Sequence, residues 1–403
     1  MKRAVLVISD VHLAPTFDSD RLPFRSACFS PAAYLSQTID RAVEHARAAR
    51  GGLEIVLAGD VFDFDVPQSA EEAAIGLRLA DTTTPAVATH VLQRTLLDHL
   101  PFLLALQRAT RAGARVVVLP GNHDAQLGFV SVQKLLGSAI GQSVTFAPWY
   151  YAAAGGVVHV EHGHLYDPLC AVARLCLGNA ENETNTERTI GTISSFYAPL
   201  LFPAIDPFVS DPFTERSAFR TMVSQGLSRL SSLSNARPLL ACVKELLIAS
   251  GASEKSRSPF DDASRLALEL GIEPAQVDYL RGFFAPKATA SEALAMCTGN
   301  VDYAGSVEER TLRAMTAALD VHGANVAVVG HTHRAGTTLL PETSASLSLR
   351  SGRSGHLRPR SLLLNSGAWT PRRSPAEPVG SYAWITTDNG RIDDASVKQV
   401  YRS

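Results

Sequence analysis

Short runs of β-branched and other apolar residues alternate with longer stretches of helical periodicity in the first part of the chain. The apolar runs cover Ala4–Ile8, Leu53–Ala58 and Arg115–Leu119, and each run stops at a polar cluster. Such runs are typical of buried strands. Between them, Pro31–Arg50 and Pro85–Ala112 have apolar residues three or four positions apart, which predicts helices. The alternation predicts an α/β layered domain, with functional side chains just past the carboxyl ends of the strands.

The same kind of apolar run recurs later in the chain. Val157–Glu161 and Asn325–Val329 predict two more buried strands, and each again stops at a polar cluster. Leu362–Leu364 and Ser381–Thr387 predict further strands in a tail whose pattern is antiparallel in character. The fold class predicted by the whole pattern is therefore α/β.

Residues 165–320 have a different pattern, in which helical stretches dominate and are broken by Pro and Gly. The predicted helices are Arg216–Ser231, Pro238–Ser250, Ala263–Leu270, Ala290–Met296 and Val307–His322. We therefore predict a catalytic domain in two parts, residues 1–164 and 321–403, interrupted by a mainly helical insertion that can act as a lid. Residues 344–360 are rich in Ser, Arg and Gly, which predicts a loop.

The composition is that of an ordinary globular protein, and the charge balance disfavours a nucleic-acid partner. Hydrophobic residues make up 46% of the chain and charged residues 19%, a balance that argues against disorder. The formal charge of −2 gives no electrostatic footprint for a nucleic-acid backbone, so we expect no nucleic-acid partner. One basic cluster lies in the predicted loop and is interpreted as solvated; it consists of Arg350, Arg353, Arg358 and Arg360.

Cysteine usage and hydropathy favour a cytoplasmic protein. The five cysteines are an odd set, and none has the Cys-x-x-Cys spacing of a zinc site. No apolar run is long enough to span a membrane. The apolar run Ala4–Ile8 is too short for the hydrophobic region of a signal peptide. We therefore expect a soluble protein in a reducing compartment.

The segment 191–213 concentrates large apolar side chains among four prolines. These side chains are Phe196, Tyr197, Leu200, Leu201, Phe202, Phe208 and Phe213. Two interpretations are open. The segment is a packed core, or it is an apolar surface that binds a lipid-like substrate or makes a peripheral contact with a membrane.

Polar motifs built from metal-binding residue types follow the five predicted buried strands. In chain order they are Asp10-Val-His12, Gly59-Asp60-Val-Phe-Asp63, Gly121-Asn122-His123-Asp124, His162-Gly-His164 and Gly330-His331-Thr-His333. They contain six of the twelve histidines of the chain. Carboxylate, imidazole and amide groups together suit hard-to-borderline divalent metals. One such motif alone is uninformative, but five at strand ends predict a shared metal site. The glycines before Asp60, Asn122 and His331 fit tight turns that bring the backbone close to that site.

The order of these motifs resembles that of the calcineurin-like metallophosphoesterases. The resemblance covers the first strand through His164, and again Asn325 to about Trp369. It implies a four-layer αββα sandwich, in which two facing sheets are flanked by helices. It also implies two divalent metal ions, and the mixed nitrogen and oxygen ligands suit Mn, Fe or Zn better than Ca.

The resemblance implies a role for each motif residue. The ligands of one metal would be Asp10, His12 and His333. The ligands of the second metal would be Asn122, His162 and His331, with Asp60 bridging both ions. His123 would be the catalytic histidine, which stabilises or protonates the leaving oxygen while Asp124 or Asp63 orients its ring.

Three further residues have an expected place near this site. His164 follows a proposed ligand by two positions and is interpreted as orienting the ligands or facing the substrate, rather than as another ligand. Asn365-Ser-Gly-Ala-Trp369 resembles the Asn-x-Gly-x-Trp turn that closes the site in this family. A simple β-turn is the alternative interpretation of that segment.

The reaction implied is hydrolysis of a phosphate ester or pyrophosphate by a metal-bridging hydroxide. The expected substrate is small or lipid-linked. Within the family, the motif sequences Asp-Val-His-Leu and Gly-Asp-Val-Phe-Asp resemble those of the UDP-2,3-diacylglucosamine pyrophosphatase branch. The large insertion and the Asn122-His123 pair differ from that branch. A nuclease or phosphodiesterase acting on nucleic acid is one alternative, which the missing basic excess disfavours. A non-catalytic scaffold is the other, which the complete set of proposed ligands disfavours.

Overall fold

The structure is a computed structural model that describes most of the chain. The described residues are 2–141, 144–172, 186–201, 233–251, 263–289, 291–293, 295, 303–340, 361–369 and 377–402. The predicted helix Arg216–Ser231, the predicted loop 344–360 with its four arginines, and residues 202–213 of the apolar segment lie outside these ranges.

A six-stranded mixed sheet forms from both ends of the chain. Its strands are β1 (Arg3–Ile8), β2 (Gly52–Ala58), β3 (Arg115–Leu119), β4 (Val144–Phe146), β10 (Gly380–Asp388) and β11 (Arg391–Val400). The strand order is β11-β10-β1-β2-β3-β4. β1 to β4 are parallel, whereas β10 is antiparallel to both β1 and β11. Of the two late strands predicted as an antiparallel tail, Ser381–Thr387 is antiparallel in this sheet, whereas Leu362–Leu364 lies in the second sheet and is parallel to Val326–Val329.

A five-stranded sheet faces the first one. Its strands are β5 (Tyr150–Ala153), β6 (Val158–Glu161), β7 (Val326–Val329), β8 (Gly336–Leu339) and β9 (Leu362–Asn365). The strand order is β5-β6-β7-β9-β8, with β6, β7 and β9 parallel and the two edge strands antiparallel to their neighbours. The parallel strands β1, β2, β3, β6 and β7 each end at a loop that carries one of the polar motifs.

Helices flank the sheets and continue into the region between the two halves of the catalytic fold. They are α1 (Ala32–Ala48), α2 (Ala70–Ile75), α3 (Pro85–Asp98), α4 (Leu100–Arg111), α5 (Val130–Ile140), α6 (Ile190–Leu201), α7 (Leu233–Gly251), α8 (Ala263–Leu270), α9 (Pro274–Arg281) and α10 (Tyr303–His322). The prediction of one helix over Pro85–Ala112 was wrong, because the backbone leaves the helical conformation at His99. Pro101 lacks the N–H that a continuous helix needs, and its ring would clash with the preceding turn.

Alternating side chains of each strand separate the core into layers. Val5 and Val7 of β1 pack between the sheets against Val158 and Val326, whereas Leu6 of the same strand faces the α1 side. On the outer face of the second sheet, apolar residues of α10 pack on β7 and β9. The chain therefore has two facing sheets with helices outside them, which confirms the predicted sandwich.

The described residues between 173 and 303 are mainly helical, and their apolar side chains pack with one another and with residues of the flanking segments. All of α6 is buried, including Phe196, Tyr197, Leu200 and Leu201, and it packs against α7. The packed-core interpretation therefore describes the apolar segment up to Leu201. Within the described ranges, no helix combines the length and the apolar character needed to cross a membrane.

His322 at the end of α10 lies in a buried aromatic stack. Its ring lies 5.2 Å from that of His159 and 4.7 Å from that of Tyr150, measured between centroids. Burial, helped by the neighbouring His159, lowers the pKa of His322 to about 4. An unfolded histidine titrates at about 6.5, so acid protonates the unfolded chain first. The stability that the neutral ring contributes is therefore complete above that pH and is lost as the pH falls towards about 4.

We predict that His322→Phe makes the fold less sensitive to acid. Phenylalanine keeps an aromatic ring in the stack but cannot take up a proton. Melting temperatures measured at about pH 7.5 and about pH 5 should fall less in this variant than in the wild type. The exposed His90→Phe is the control and should behave as the wild type. An equal fall in His322→Phe and the wild type would contradict the prediction.

Candidate metal centre

The backbone is left-handed at five of the predicted ligands. Their φ angles lie between 52° and 66°, a region that non-glycine residues rarely adopt; the residues are Asp10, His12, Asp60, His331 and His333. Such conformations persist only where surrounding contacts determine them, and they are concentrated at functional sites. Each of these turns directly follows β1, β2 or β7, so the strand ends aim the ligands into one space.

Hydrogen bonds connect the ligand turns to one another. The backbone N–H groups of Val11 and His12 donate to the Asp60 carbonyl at 2.8 and 2.9 Å. The His331 N–H donates to the Asp10 carboxylate at 3.0 Å, and the Trp369 N–H donates to the Asp10 carbonyl at 2.9 Å. The ends of β1, β2, β7 and β9 are thereby fastened together.

Asp124 is the buried acceptor at the centre of this framework. Its carboxylate accepts backbone N–H bonds from Asp60 at 3.1 Å, Val61 at 2.9 Å, Phe62 at 3.2 Å and Gly121 at 2.6 Å. Burial, together with the charge of Asp60, raises the pKa of Asp124 to about 7, and the backbone donors oppose that shift. Asp124 therefore joins the turn after β2 to the turn after β3.

Glycine is required where these turns approach each other. A Cβ atom at Gly59, whose φ is +83°, would lie 2.5 Å from the His162 ring. A Cβ atom at Gly330 would collide with the carboxylate of Asp10 and the side chain of Ser9. The expectation that glycines bring the backbone close to the site therefore holds at both positions.

Asp10, His12 and His333 form the first buried group. Their ligand atoms all lie within 4.8 Å of one another. His12 Nε2 lies 3.3 Å from His333 Nε2, and His333 Nε2 lies 3.4 Å from Asp10 Oδ1. The structure therefore brings together the three residues predicted for one metal.

Asp60, His162 and His331 form the second buried group, within the same 4.8 Å limit. His162 Nε2 lies 3.1 Å from Asp60 Oδ2. Asn122 is buried beside them on the turn after β3, and neither atom of its amide has a hydrogen-bond partner among the described residues. Asp60 also belongs to a third group with His12 and His123, so it lies between the two predicted metal positions.

A neighbouring acceptor fixes the ring of one histidine in each group. His12 Nδ1 lies 3.2 Å from Asp63 Oδ2, and His162 Nδ1 lies 3.0 Å from the Ala58 carbonyl. A histidine that donates through one ring nitrogen presents the lone pair of the other. His12 and His162 therefore present Nε2 to the site.

Asp63 also contacts the predicted catalytic histidine. His123 Nδ1 lies 3.3 Å from Asp63 Oδ1, so one carboxylate holds both His12 and His123. The four hydrogen bonds of Asp124 described above run to backbone groups, and none of its described contacts is with the His123 ring. Of the two residues predicted to orient His123, Asp63 is the one in contact with it.

The charges of the site are strongly coupled. Burial favours neutral Asp60, but His162 and His123 hold the pKa of this carboxylate well below its usual value. Burial opposes the charge on His162, yet Asp60 raises the pKa of His162 to about 9. Burial raises the pKa of Asp63, but the contacts with His123 and His12 outweigh burial and hold this pKa below its usual range. These shifts favour the ionised forms of Asp60 and Asp63, and a carboxylate must be ionised to bind a cation.

The three residues expected near the site lie at its margins. His164 is buried with its ring 5.3 Å from that of His162, and burial, with the nearby His162 and His331, lowers its pKa well below the usual value. Asn365 donates to Thr332 Oγ1 at 2.8 Å and accepts from the Gly367 N–H at 3.0 Å. The turn with Asn365 and Trp369 therefore fastens the ligand loops rather than forming an isolated β-turn.

Sequence reasoning missed two residues that contact ligands. Asp167 Oδ2 lies 3.0 Å from His331 Nε2. Ser9 hydrogen-bonds to Asp10 and lies 2.7 Å from Ser366 Oγ. Asp167 follows His162-Gly-His164 by three positions, and Ser9 directly precedes Asp10. In both cases the only indication in the sequence was that the residue lies close to a motif of predicted ligands.

The residues of both groups fit divalent metal ions. Two nitrogens bound at about 2.0–2.1 Å to one tetrahedral ion are separated by about 3.3 Å, close to the distance between the Nε2 atoms of His12 and His333. The buried, unpartnered amide of Asn122 offers an oxygen to the second group. Nitrogen and oxygen donors of this kind suit transition-metal ions. These Asp and His groups can therefore bind metals.

Comparisons with known proteins were consistent with this geometry. A model of the calcineurin-like phosphoesterase family matches residues 3–211, more than half of the 403 residues. No curated protein matches the sequence. Among solved structures, a chain described as a 5'-nucleotidase from Staphylococcus aureus in complex with alpha-ketoglutarate aligns with 11% identity and a TM-score of 0.33. That alignment covers 100% of this chain and 55% of the other. From the family match, the chain belongs to the calcineurin-like phosphoesterases, which are metal-dependent hydrolases of phosphoester bonds.

Proposed function

We propose that this phosphoesterase uses two divalent ions, of Mn, Fe or Zn, to hydrolyse a small or lipid-linked phosphate ester or pyrophosphate. The observation that carries the proposal is the pair of buried Asp and His groups that share Asp60 between them. Asp10, His12 and His333 would hold one ion. Asn122, His162 and His331 would hold the other, with Asp60 contributing to both. When bound, such ions supply an activated water as nucleophile and stabilise negative charge on the phosphoryl oxygens.

The ligand set favours a centre prepared before the ions bind. His12 and His162 are held in one tautomer by Asp63 and by the Ala58 carbonyl, so their Nε2 lone pairs already face the site. The left-handed turns are held by backbone hydrogen bonds that involve no metal. A preorganised site needs little rearrangement when charge develops during the reaction.

His123 is the group proposed to act on the leaving oxygen. With Nδ1–H donated to Asp63, its other nitrogen, Nε2, is the one that would hold or accept a proton in the reaction. His123 also shares a buried group with His12 and Asp60, which places its ring beside the proposed ligands. The Asp63 carboxylate stabilises the positive charge that His123 carries when it is protonated, as a general acid requires.

The proposed substrate class follows from the family resemblance and the charge of the chain. The motif sequences resemble those of the diacylglucosamine pyrophosphatase branch. This resemblance supports a substrate in which the hydrolysed bond is a phosphate anhydride or ester on a small or lipid-linked group. The formal charge of −2 does not support tight binding to a nucleic-acid backbone. A phosphodiester such as bis-para-nitrophenyl phosphate is therefore a suitable first probe of the chemistry.

Replacement of the shared carboxylate should remove both metal binding and turnover. We predict that Asp60→Asn, purified without chelators, retains less than one ion per chain by elemental analysis, whereas the wild type retains about two. Hydrolysis of bis-para-nitrophenyl phosphate should fall by at least about 10²-fold. The half-buried Asp40→Asn, whose carboxylate pairs with Arg108 away from the site, is the control. A wild type with less than one ion after reconstitution with Mn or Zn, and no turnover, would instead support a scaffold.

Replacement of the proposed acid should separate metal binding from catalysis. We predict that His123→Ala keeps the wild-type metal content but loses about 10²–10⁴-fold in kcat, the range typical of a lost general acid. The loss should be smaller for an ester with a good leaving group, which needs less protonation. His90→Ala provides the matched control at an exposed histidine. Unchanged turnover in His123→Ala would contradict the proposed role, even with both metals bound.

A further inference from the structure

His331 is held differently from the other histidines of the two groups. His12 and His162 are fixed through Nδ1 and present Nε2, as described above. For His331 the held atom is Nε2, which lies 3.0 Å from Asp167 Oδ2. The other nitrogen, Nδ1, is buried and has no hydrogen-bond partner in the part of the chain that the structure describes. The available lone pair of His331 is therefore at Nδ1.

Asp167 is itself held in a fixed orientation. Its Oδ1 accepts a hydrogen bond from the Leu169 N–H at 2.8 Å, which leaves Oδ2 for His331. Its own N–H donates to the His164 carbonyl at 3.1 Å, and its carbonyl accepts from the Ala171 N–H at 2.7 Å. Asp167 is 3% exposed. A buried carboxylate fixed at one oxygen can dictate the tautomer of the imidazole at its other oxygen.

We propose that Asp167 is a positioning residue for the second metal, which it serves by holding the Nε2–H of His331 so that Nδ1 faces the ion. This inference rests on the proposed two-metal function. Asp167 acts only through His331, which belongs to the group with Asp60 and His162. The loss of Asp167 should therefore weaken one metal position and spare the group of Asp10, His12 and His333.

The contact between Asp167 and His331 joins two distant parts of the chain. Asp167 and His331 are 164 residues apart in sequence: Asp167 lies at the start of the predicted insertion, and His331 lies after its end. Asp167 follows β6 on a short turn, at the start of the segment predicted as the insertion, and residues of that turn pack against α10. The second metal position would then depend on the conformation of the turn that contains Asp167, whereas the first metal position would not.

Metal titration of the chelator-stripped, full-length protein tests the proposal. In the wild type, Mn²⁺ or Zn²⁺ should bind at two positions. In Asp167→Asn the affinity of one position should fall by about 10–100-fold, the usual effect of losing such a contact, while the other keeps its affinity. Asparagine has nearly the same shape, but it can no longer accept from both Leu169 and His331. Asp167→Glu, which restores the carboxylate, should recover part of the loss.

Two control variants test whether the effect of Asp167→Asn is specific to the second metal position. Asp63→Asn should weaken the other metal position, because Asp63 holds His12 rather than His331. The exposed Asp278→Asn, whose carboxylate pairs with Arg281, should leave both positions unchanged. Equal weakening of both positions by Asp167→Asn, accompanied by a lower melting temperature, would show a merely structural role and overturn the proposal.

A spectroscopic measurement reports the tautomer directly. In the metal-free protein labelled with ¹⁵N-histidine, the wild-type His331 signal should show a protonated Nε2, and His331→Gln identifies that signal by its loss. Asp167→Asn should shift it towards a mixture of tautomers. A wild-type His331 protonated at Nδ1 would overturn the inference about Asp167 while leaving two-metal binding intact. A wild type that binds fewer than two ions would instead refute the proposed function itself.

Discussion

The structure depends on holding five ligand residues in a left-handed backbone conformation at the ends of three strands. A non-glycine residue in this region costs on the order of 1–3 kcal/mol, and one hydrogen bond contributes about 0.5–1.5 kcal/mol net. At the middle of these two ranges, one hydrogen bond offsets only about half of the strain at one residue. The ligand turns instead support each other through shared acceptors, with the Asp60 carbonyl accepting two N–H groups and the Asp124 carboxylate accepting four. The packed sheets beneath supply the fixed strand ends from which these turns begin.

This arrangement separates the structural carboxylates from those that face the proposed metals. Asp124 is fully engaged with the backbone and holds two turns together. Asp63 is engaged with two imidazoles and links a proposed ligand, His12, to the proposed acid, His123. Asp10 and Asp60 remain directed at the space between the histidines. Neighbouring acidic residues with similar motif positions thus have different functions because their hydrogen-bond partners differ.

The segment between β6 and β7 adjoins the proposed metal centre at its first turn. His164 lies against His162, and Asp167 lies against His331, before the chain continues into α6. α6 is wholly buried in a second apolar core with α7. The helices beyond the first turn pack with one another and with apolar residues outside the segment, whereas the turn is where the segment contacts the proposed ligands.

Local patterns in the sequence were enough to place the main strands and the motif residues that follow them. An apolar run of five or six residues is a strand signal that needs no distant partner, and each run ended within one residue of the observed strand β1, β2 or β3. The helix break before Pro101 was also local chemistry, and it was overlooked because the leucine periodicity continues through it. Short edge strands such as β4 and β8 were not predicted, because their few residues carry little pattern and their pairing depends on neighbouring strands.

The sequence by itself determined the strands that precede the motifs, the metal-binding residue types at their ends and the family of this protein. Only the tertiary structure decided which oxygen or nitrogen of each side chain faces the site. Asp63 and Asp124 are equivalent candidates for orienting His123 in the sequence, and the folded chain directs one to the ring and the other to backbone N–H groups. Asp167 and His331 come together across 164 residues. Hydrogen-bond direction depends on positions in space, and residues that are distant in the chain fix those positions only when the two sheets pack.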